Sequence, residues 1–313
     1  MTASAIDATT RYVDTQYLGH PHLIAAAILE TDDGLLVVDP GPTTSLEALT
    51  DALEADGDGW DDVHALLLTH IHLDHAGATG TIVDRAPHVQ VYVHERGAPH
   101  LVRPERLLAS AQRIYGDDMD RLWGAFEPVP EENVHALQGG ETLTLGGCPL
   151  EVAYTPGHAQ HHVSYLDTRS GTAFIGDVGG MRVTGSSTVL PVMPPPDVDL
   201  AAWHDSIDRV RQWAPERLFV THFGPHTDVD RHLDVMDEEI DAFADKVEAT
   251  LSAVEPDGRD AVAQRFADRE LDRLRATTDE RFWDAYEQFG QPRESWYGLA
   301  RYWQKHLESR SDG

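Results

Sequence analysis

The stretch Thr69-His70-Ile71-His72-Leu73-Asp74-His75-Ala76-Gly77 decides how this chain is read. An apolar run, Val63 to Leu68, precedes it and reads as a buried strand. Three imidazoles and one carboxylate then fall within six residues. Residues 70 and 72 sit at period two and point the same way from extended backbone. Asp74 and His75 follow where the chain turns into a helix. Neutral imidazole and carboxylate are the nitrogen and oxygen donors that borderline cations such as zinc accept. Packing alone gives no reason to gather four of them at one strand end.

The same design recurs downstream. Thr155-Pro156-Gly157-His158, Gly176-Asp177 and Thr221-His222 each place a donor at or just past a strand end, beside a small residue. Carboxyl edges of strands are where α/β architectures gather functional groups. The donors are then His70, His72, Asp74, His75, His158, Asp177 and His222. Seven exceed the needs of one tetrahedral ion and suit two divalent ions sharing a bridge. Zinc is the expected metal, with iron or manganese as alternatives. Asp39, at another strand end, reads equally as a turn former or as a support for a metal ligand.

Composition bounds the rest. The chain has 313 residues, 41% of them hydrophobic, enough for a sizeable core. Its net charge is −30, with the acidic residues spread along the whole sequence. Only Lys246 and Lys305 are lysines. A dispersed acidic surface keeps a protein hydrated where salt screens charge, so a halophilic cytoplasmic protein is expected. The same charge argues against nucleic acid as a partner. Cys148 is the sole cysteine, which leaves no intramolecular disulfide and no thiolate metal site. The N-terminus lacks the basic start and apolar core of a signal peptide, and no apolar run is long enough to span a membrane.

Along the chain, residues 1–10 read as frayed. Tyr12–Leu18, Leu23–Glu30 and Leu35–Asp39 read as strands, with Asp32-Asp33-Gly34 as a hairpin turn. Helices are expected from about Thr44 to Ala55 and from Ala76 to Arg85, with a strand at Val89–Val93. Residues 95–127 break this alternation with a helical insertion that either overhangs the site or packs on the flank. Short strands follow to about residue 175, then the helix Leu200–Trp213 capped by Asp199, then a strand at Leu218–Val220. After residue 225 the spacing of Met236, Ile240, Phe243 and Val247, of Phe266 and Leu274, and of Trp296, Leu299 and Trp303 is helical, with no strand. Two domains are expected: 1–225, carrying the donors, and a helical subdomain, 226–313.

The donor segments resemble those of the metallo-β-lactamase superfamily of metallohydrolases. Its His-x-His-x-Asp-His run stands as residues 70–75, its Thr-Pro-Gly-His as 155–158, its Gly-Asp as 176–177 and its last histidine as His222, in the family's order. The resemblance implies an α+β fold, a four-layer αβ/βα sandwich. It also implies that His70, His72 and His158 bind one metal, that Asp74, His75 and His222 bind a second, and that Asp177 bridges. His75 stands where β-lactamases proper carry Arg, so the resemblance points to glyoxalase II-like and other ester, thioester or lactone hydrolases. Two such ions lower the pKa of a shared water from about 16 toward neutrality, and the hydroxide attacks a carbonyl. Asp74 and Asp177 are the expected catalytic residues. One of His161 and His162 is expected to support a metal ligand or to contact substrate, His162 being favoured, and Arg182 suits a carboxylate substrate. His226 is expected at the surface. The alternative on this scaffold is a persulfide dioxygenase-like oxidoreductase with one iron on His70, His158 and Asp177. The intact second donor set weighs against it. The expected partner is a small molecule, with no nucleic acid and no membrane.

Overall fold

The computed structural model describes residues 2–251 and 254–311. The strands in chain order are β1 Ser4–Ala5, β2 Thr10–Asp14, β3 Ala25–Thr31, β4 Gly34–Val38, β5 Val63–Leu67, β6 Gln90–His94 and β7 Val134–Leu137. They continue with β8 Thr142–Leu145, β9 Cys148–Tyr154, β10 Val163–Asp167, β11 Thr172–Phe174, β12 Arg217–Val220 and β13 Gly224–His226. The helices are α1 Leu46–Asp56, α2 Leu73–Ala76, α3 Thr79–Arg85, α4 Ala98–Val102, α5 Glu105–Tyr115 and α6 Met119–Leu122. They close with α7 Leu200–Gln212, α8 Val229–Leu251, α9 Arg259–Thr277, α10 Glu280–Phe289 and α11 Pro292–Ser311.

Strands β1 to β7 form one sheet in sequence order, and the second runs β13-β12-β11-β10-β9-β8. In the first, β1 to β4 are antiparallel neighbours and β4 to β7 are parallel. Alternation along β3 explains the layering. Ala25, Ala27 and Leu29 face the second sheet, where Val152, Val163, Tyr165, Phe174 and Phe219 meet them. Ala26 and Ile28 point the opposite way, into a core with Leu49 and Leu53 of α1 and Ile82 of α3. A strand covered on both faces must be apolar at every position, as β3 is up to Leu29. The outer face of the second sheet, with Leu166, Ala173 and Leu218, packs on Trp203, Ile207 and Val210 of α7 and on α8 to α11. The order is helix, sheet, sheet, helix: the expected four-layer sandwich. Tyr165 joins the sheets by donating its hydroxyl to Leu68 O at 2.9 Å.

The structure departs from the sequence reading in several places. The N-terminal residues are not frayed: β1 pairs with β2, Ser4 opposite Tyr12, and Asp7 Oδ1 accepts the Thr9 and Thr10 amides in the turn between them. The single helix expected at 76–85 is two, and the insertion holds α4 to α6. A strand, β13, lies across the expected domain boundary and pairs with β12, so the second sheet ends at His226. The C-terminal region adds α10, built around the aromatic residues Phe282, Trp283 and Tyr286. Asp199 caps α7 as expected, accepting the Ala202 amide at 3.1 Å. Among the described residues, no helix is long and apolar enough to cross a membrane.

Two features of this frame are testable. Gly157 holds φ +140°, and a Cβ there would overlap Trp203. Gly157→Ala is therefore expected to destabilise the fold by about 3 kcal/mol, from overpacking and backbone strain, as read by chemical denaturation. His204 of α7 sits between Asp237 and Asp241 of α8, at 2.9 and 3.1 Å. Partial burial pushes its pKa down, but the two carboxylates outweigh burial and raise it. A raised folded-state pKa gives stability that is complete below the unfolded value of about 6.5 and is lost as pH rises through the folded value. The Tm difference between wild type and His204→Gln should accordingly be largest in mild acid and shrink toward alkaline pH.

Candidate metal centre

All seven donors meet at one edge of the sandwich. His70 to His75 follow β5, His158 sits in the turn between β9 and β10, Asp177 follows β11, and His222 follows β12. Parallel β4 and β5, and parallel β11 and β12, send their carboxyl ends to the same side. Two groups form there: His70, His72, His158 and Asp177, and Asp74, His75 and His222, each with its ligand atoms within 4.8 Å of one another.

Hydrogen bonds at the far side of each ring decide which nitrogen faces inward. His75 donates Nδ1–H to Asp39 Oδ2 at 2.8 Å, and His222 donates Nδ1–H to Leu23 O at 2.7 Å. His158 donates Nδ1–H to Val192 O at 2.7 Å. The Thr69 hydroxyl donates to Asp39 Oδ2, so its oxygen is left to accept Nδ1–H of His70 at 3.1 Å. In the neutral form of each ring the inward Nε2 carries a lone pair.

Those nitrogens converge on one another and on the carboxylates, as ligands around a cation do. Nε2 of His75 and Nε2 of His222 face each other at 3.2 Å. His158 Nε2 lies 2.9 Å from His72 Nδ1. His70 Nε2 and Asp177 Oδ1 are buried with no hydrogen-bond partner. Asp177 splits between the groups: Oδ1 is 3.2 Å from His75 Nε2 and 3.4 Å from His222 Nε2, while Oδ2 is 3.3 Å from His158 Nε2. One carboxylate oxygen per group is the arrangement a bridging ligand needs. The residues present therefore fit two divalent ions.

Electrostatics agree. Burial, reinforced by neighbouring rings, pushes His70 well below its ordinary pKa and His72 down to about 3, which keeps both neutral and able to ligate. His158 is lowered by burial too. Burial would also lower His75, but Asp177, Asp39 and Asp74 overrule it and hold that ring well above its ordinary value. Three carboxylates drawing on one imidazole are the local demand for positive charge that an ion would meet. Burial raises the Asp177 carboxyl, yet His75, His158 and His222 hold it far below the usual range.

Asp39 is the support behind this edge. It is fully buried at φ +48°, a left-handed conformation that Asp tolerates. Its carboxylate accepts the Thr69 amide, the Thr69 and Thr221 hydroxyls and the His75 ring, all at 2.7–2.8 Å. It thereby ties β4 to the ends of β5 and β12. Of its two sequence readings, the structure selects support for a ligand.

His72, Asp74, His158 and Asp177 form the floor of a cavity of about 250 Å³, while His70, His75 and His222 are fully buried. Both helical additions wall it: Leu107, Ala111, Ile114 and Trp123 from the insertion, and Phe289 and Ser295 from the C-terminal helices. The insertion overhangs the site. Ser295 Oγ accepts the Met193 amide at 3.2 Å, which fixes the 192–196 strap whose Val192 carbonyl orients His158. Phe289 lies on the His222 ring, centroids 4.2 Å apart.

Neither His162 nor Arg182 meets substrate space, and for His162 the structure selects its other reading, support of a donor ring. His162 does not reach the cavity. The strand register of β10 turns it inward, where it bonds Thr155 Oγ1 at 2.9 Å and stacks on His70 at 5.1 Å. Its neighbour His161 lines the cavity instead, as does His100, for which no local signal stood out. Arg182 is also turned away: it is buried, donates to both oxygens of Asp228 at 2.8 Å, and gives Nε–H to Ser186 O. Asp228 lies 46 residues downstream, beyond the reach of local pattern. His226, expected at the surface, is buried and donates Nε2–H to Arg182 O. Gly176, at φ +44°, explains the small residue before Asp177: a Cβ there would come within 2.5 Å of Thr69 Oγ1 and 2.8 Å of His162 Nε2.

Replacing Asp39 should loosen one ion more than the other. In Asp39→Asn the side-chain amide cannot accept all four hydrogens, and His75 loses its orienting acceptor. Chelator competition is expected to show one of two ions bound about 10–100-fold more weakly, with circular dichroism unchanged.

Comparison with known proteins covers the part of the chain that carries the donors. The family described as the metallo-beta-lactamase superfamily matches residues 21–222. A metallo-beta-lactamase fold-containing protein of Sulfurisphaera tokodaii is 26% identical over 207 residues, covering 65% of this chain and 74% of that one. Hydroxyacylglutathione hydrolase GloC of Haemophilus influenzae is 33% identical over 117 residues, 37% of this chain and 50% of that protein. The crystal structure of a metallo-beta-lactamase family protein from Thermus thermophilus superposes with a TM-score of 0.61 at 24% identity, over 73% of this chain and 78% of that one, a likeness of fold. With the match reaching from before β3 to the last histidine of the donor set, this chain is an enzyme of the metallo-beta-lactamase superfamily.

Proposed function

We propose that the protein is a dinuclear metallohydrolase, with zinc as its metal, that cleaves a small ester, thioester or lactone. The observation that carries this reading is Asp177, one oxygen directed to each donor group, on the floor of an apolar-walled cavity. Bound there, two divalent ions supply an ionised water at neutral pH and Lewis acidity toward the carbonyl. His70, His72 and His158 would hold one ion, Asp74, His75 and His222 the other, with Asp177 between them.

The chain's own groups do the rest. Asp74 lines the cavity, and although burial raises its pKa, His75 and His222 bring it down to about 2. As a carboxylate it accepts a hydrogen bond from the attacking water and orients that water's lone pair toward the carbonyl. His161, its pKa pushed down by burial, also lines the cavity and as a neutral ring can donate to a carbonyl or leaving-group oxygen bound there. Leu107, Ile114, Trp123 and Phe289 shed water from the acyl group and so strengthen every charge interaction on the floor. The likeness to hydroxyacylglutathione hydrolases supports thioester cleavage, although the matched part is only half of that relative. The −30 net charge supports work in a salt-rich cytoplasm on a small molecule.

Elemental analysis of protein purified in molar salt should give two zinc ions per chain. Chelation should abolish hydrolysis of an aryl ester and thioester panel, and added zinc should restore it. Asp177→Asn is expected to lower kcat by roughly a thousandfold. One iron per chain with oxygen consumption would overturn the reading in favour of oxidoreductase chemistry.

A further inference from the structure

The cavity over the metal centre does not end at the apolar walls. Beside it runs a groove of about 430 Å³, sharing Ile114, Pro195 and Glu294 with the cavity lining. Four arginines line this groove: Arg113 of α5, Arg259 of α9, and Arg293 and Arg301 of α11. In a chain with 24 basic residues against 54 acidic ones, such a concentration runs against the composition. Arg106, one turn pair earlier on the same face of α5, lines the cavity itself, so α5 leads from one compartment to the other.

Three of these guanidinium groups are held by neutral partners and not by carboxylates. Arg113 donates Nε–H to Ala109 O, and Arg301 donates Nε–H to Pro196 O. Arg259 meets the side-chain amide of Gln304, and its Nε is buried with no partner. Among the described residues no carboxylate lies in ion-pair range of these three. Arg11, by contrast, meets three carboxylates, Glu30, Asp56 and Asp58. Only Arg293 is engaged, by Asp260 at 2.8 Å and Glu294 at 3.6 Å. Ile114, at the junction, is one of two large hydrophobic side chains exposed among the described residues, the kind of surface a passing ligand covers.

We infer that the substrate is an ester or thioester of an apolar acid whose leaving-group arm ends in a phosphate, with the phosphate held in the arginine groove. This inference rests on the hydrolase reading above. The apolar walls beside the metal donors suit the acyl group, which sends the other arm out past Ile114 and Pro195. Three guanidinium groups without a carboxylate partner exceed what one carboxylate can accept and suit the three oxygens of a terminal phosphate. Hydrolysis adds water across the acyl–sulfur or acyl–oxygen bond and releases the acid and the free thiol or alcohol. The phosphate stays intact.

Calorimetry on the metal-loaded protein tests the groove without turnover, using pantetheine and 4′-phosphopantetheine as probes. The phosphorylated thiol is expected to bind about tenfold or more tightly, and added salt should narrow the gap. Arg113→Ser, at an exposed helical position, and the double variant with Arg301→Ser should erase the difference, while Arg231→Ser, outside the groove, should keep it. Equal affinity of the two thiols would overturn the inference, and so would inorganic phosphate binding as tightly as 4′-phosphopantetheine, which would mark a site for free anions. The hexanoyl thioesters of both thiols then separate the two readings. Hydrolysis of both with no preference in KM sinks the phosphate arm and leaves the hydrolase standing. Hydrolysis of neither, despite discrimination in binding, sinks the hydrolase reading and the substrate assignment with it.

Discussion

The carboxylate of Asp39 is the constraint on which the metal edge depends. A buried carboxylate is costly unless its oxygens are filled, and this one is filled four times over. The hydrogens come from the ends of two strands in different sheets and from a metal-facing ring. One charge thus fixes the spacing between β5 and β12 and the tautomer of His75 together. The Thr69 hydroxyl extends its reach: by donating to Asp39 it presents a lone pair to His70. Both donor groups are tuned from the same point, from behind, by a residue that touches neither cavity nor substrate.

The remaining orientation comes from main-chain carbonyls. Val192 and Leu23 hold His158 and His222. A carbonyl is as rigid as the segment that carries it. Leu23 sits just before β3, a strand buried on both faces, whereas Val192 sits in a proline-rich strap pinned by Ser295 of the last helix. The centre therefore rests on the sandwich on one side and on the C-terminal helices on the other. Those helices are part of the site's construction, as well as a wall of its cavity.

How far the sequence could be read follows from the range of each interaction. The donors were legible because each announces itself within a few residues: a strand end, a small residue, then a ligand. The alternation of apolar strands and helices made an α/β layering legible, and the four layers followed from the family resemblance of the donor segments. Asp39 was half legible, since its strand-end position shows but its partners lie 30, 36 and 182 residues away. His161 and His162 were exchanged because two adjacent residues entering a strand face opposite ways, and the register that decides between them is set by pairing with β9. Arg182 misled because its partner is on another element. The cavity walls were the least legible. Amphipathic spacing shows that a helix has an apolar face but not whether that face meets a core or a ligand, and here α5 does both.

The ligands run from His70 to His222, and the groups that orient them from Leu23 to Ser295. No fragment of the chain holds a preformed centre, so an ion binds the folded molecule and has little to hold in the unfolded one. By mass action each ion then adds to global stability as RT ln(1 + [M]/Kd), about 4 kcal/mol at a thousandfold excess over Kd. Stability and metal supply become one variable. A cell short of the ion would lose not only turnover but the standing concentration of folded protein, and proteolysis would remove the empty form first.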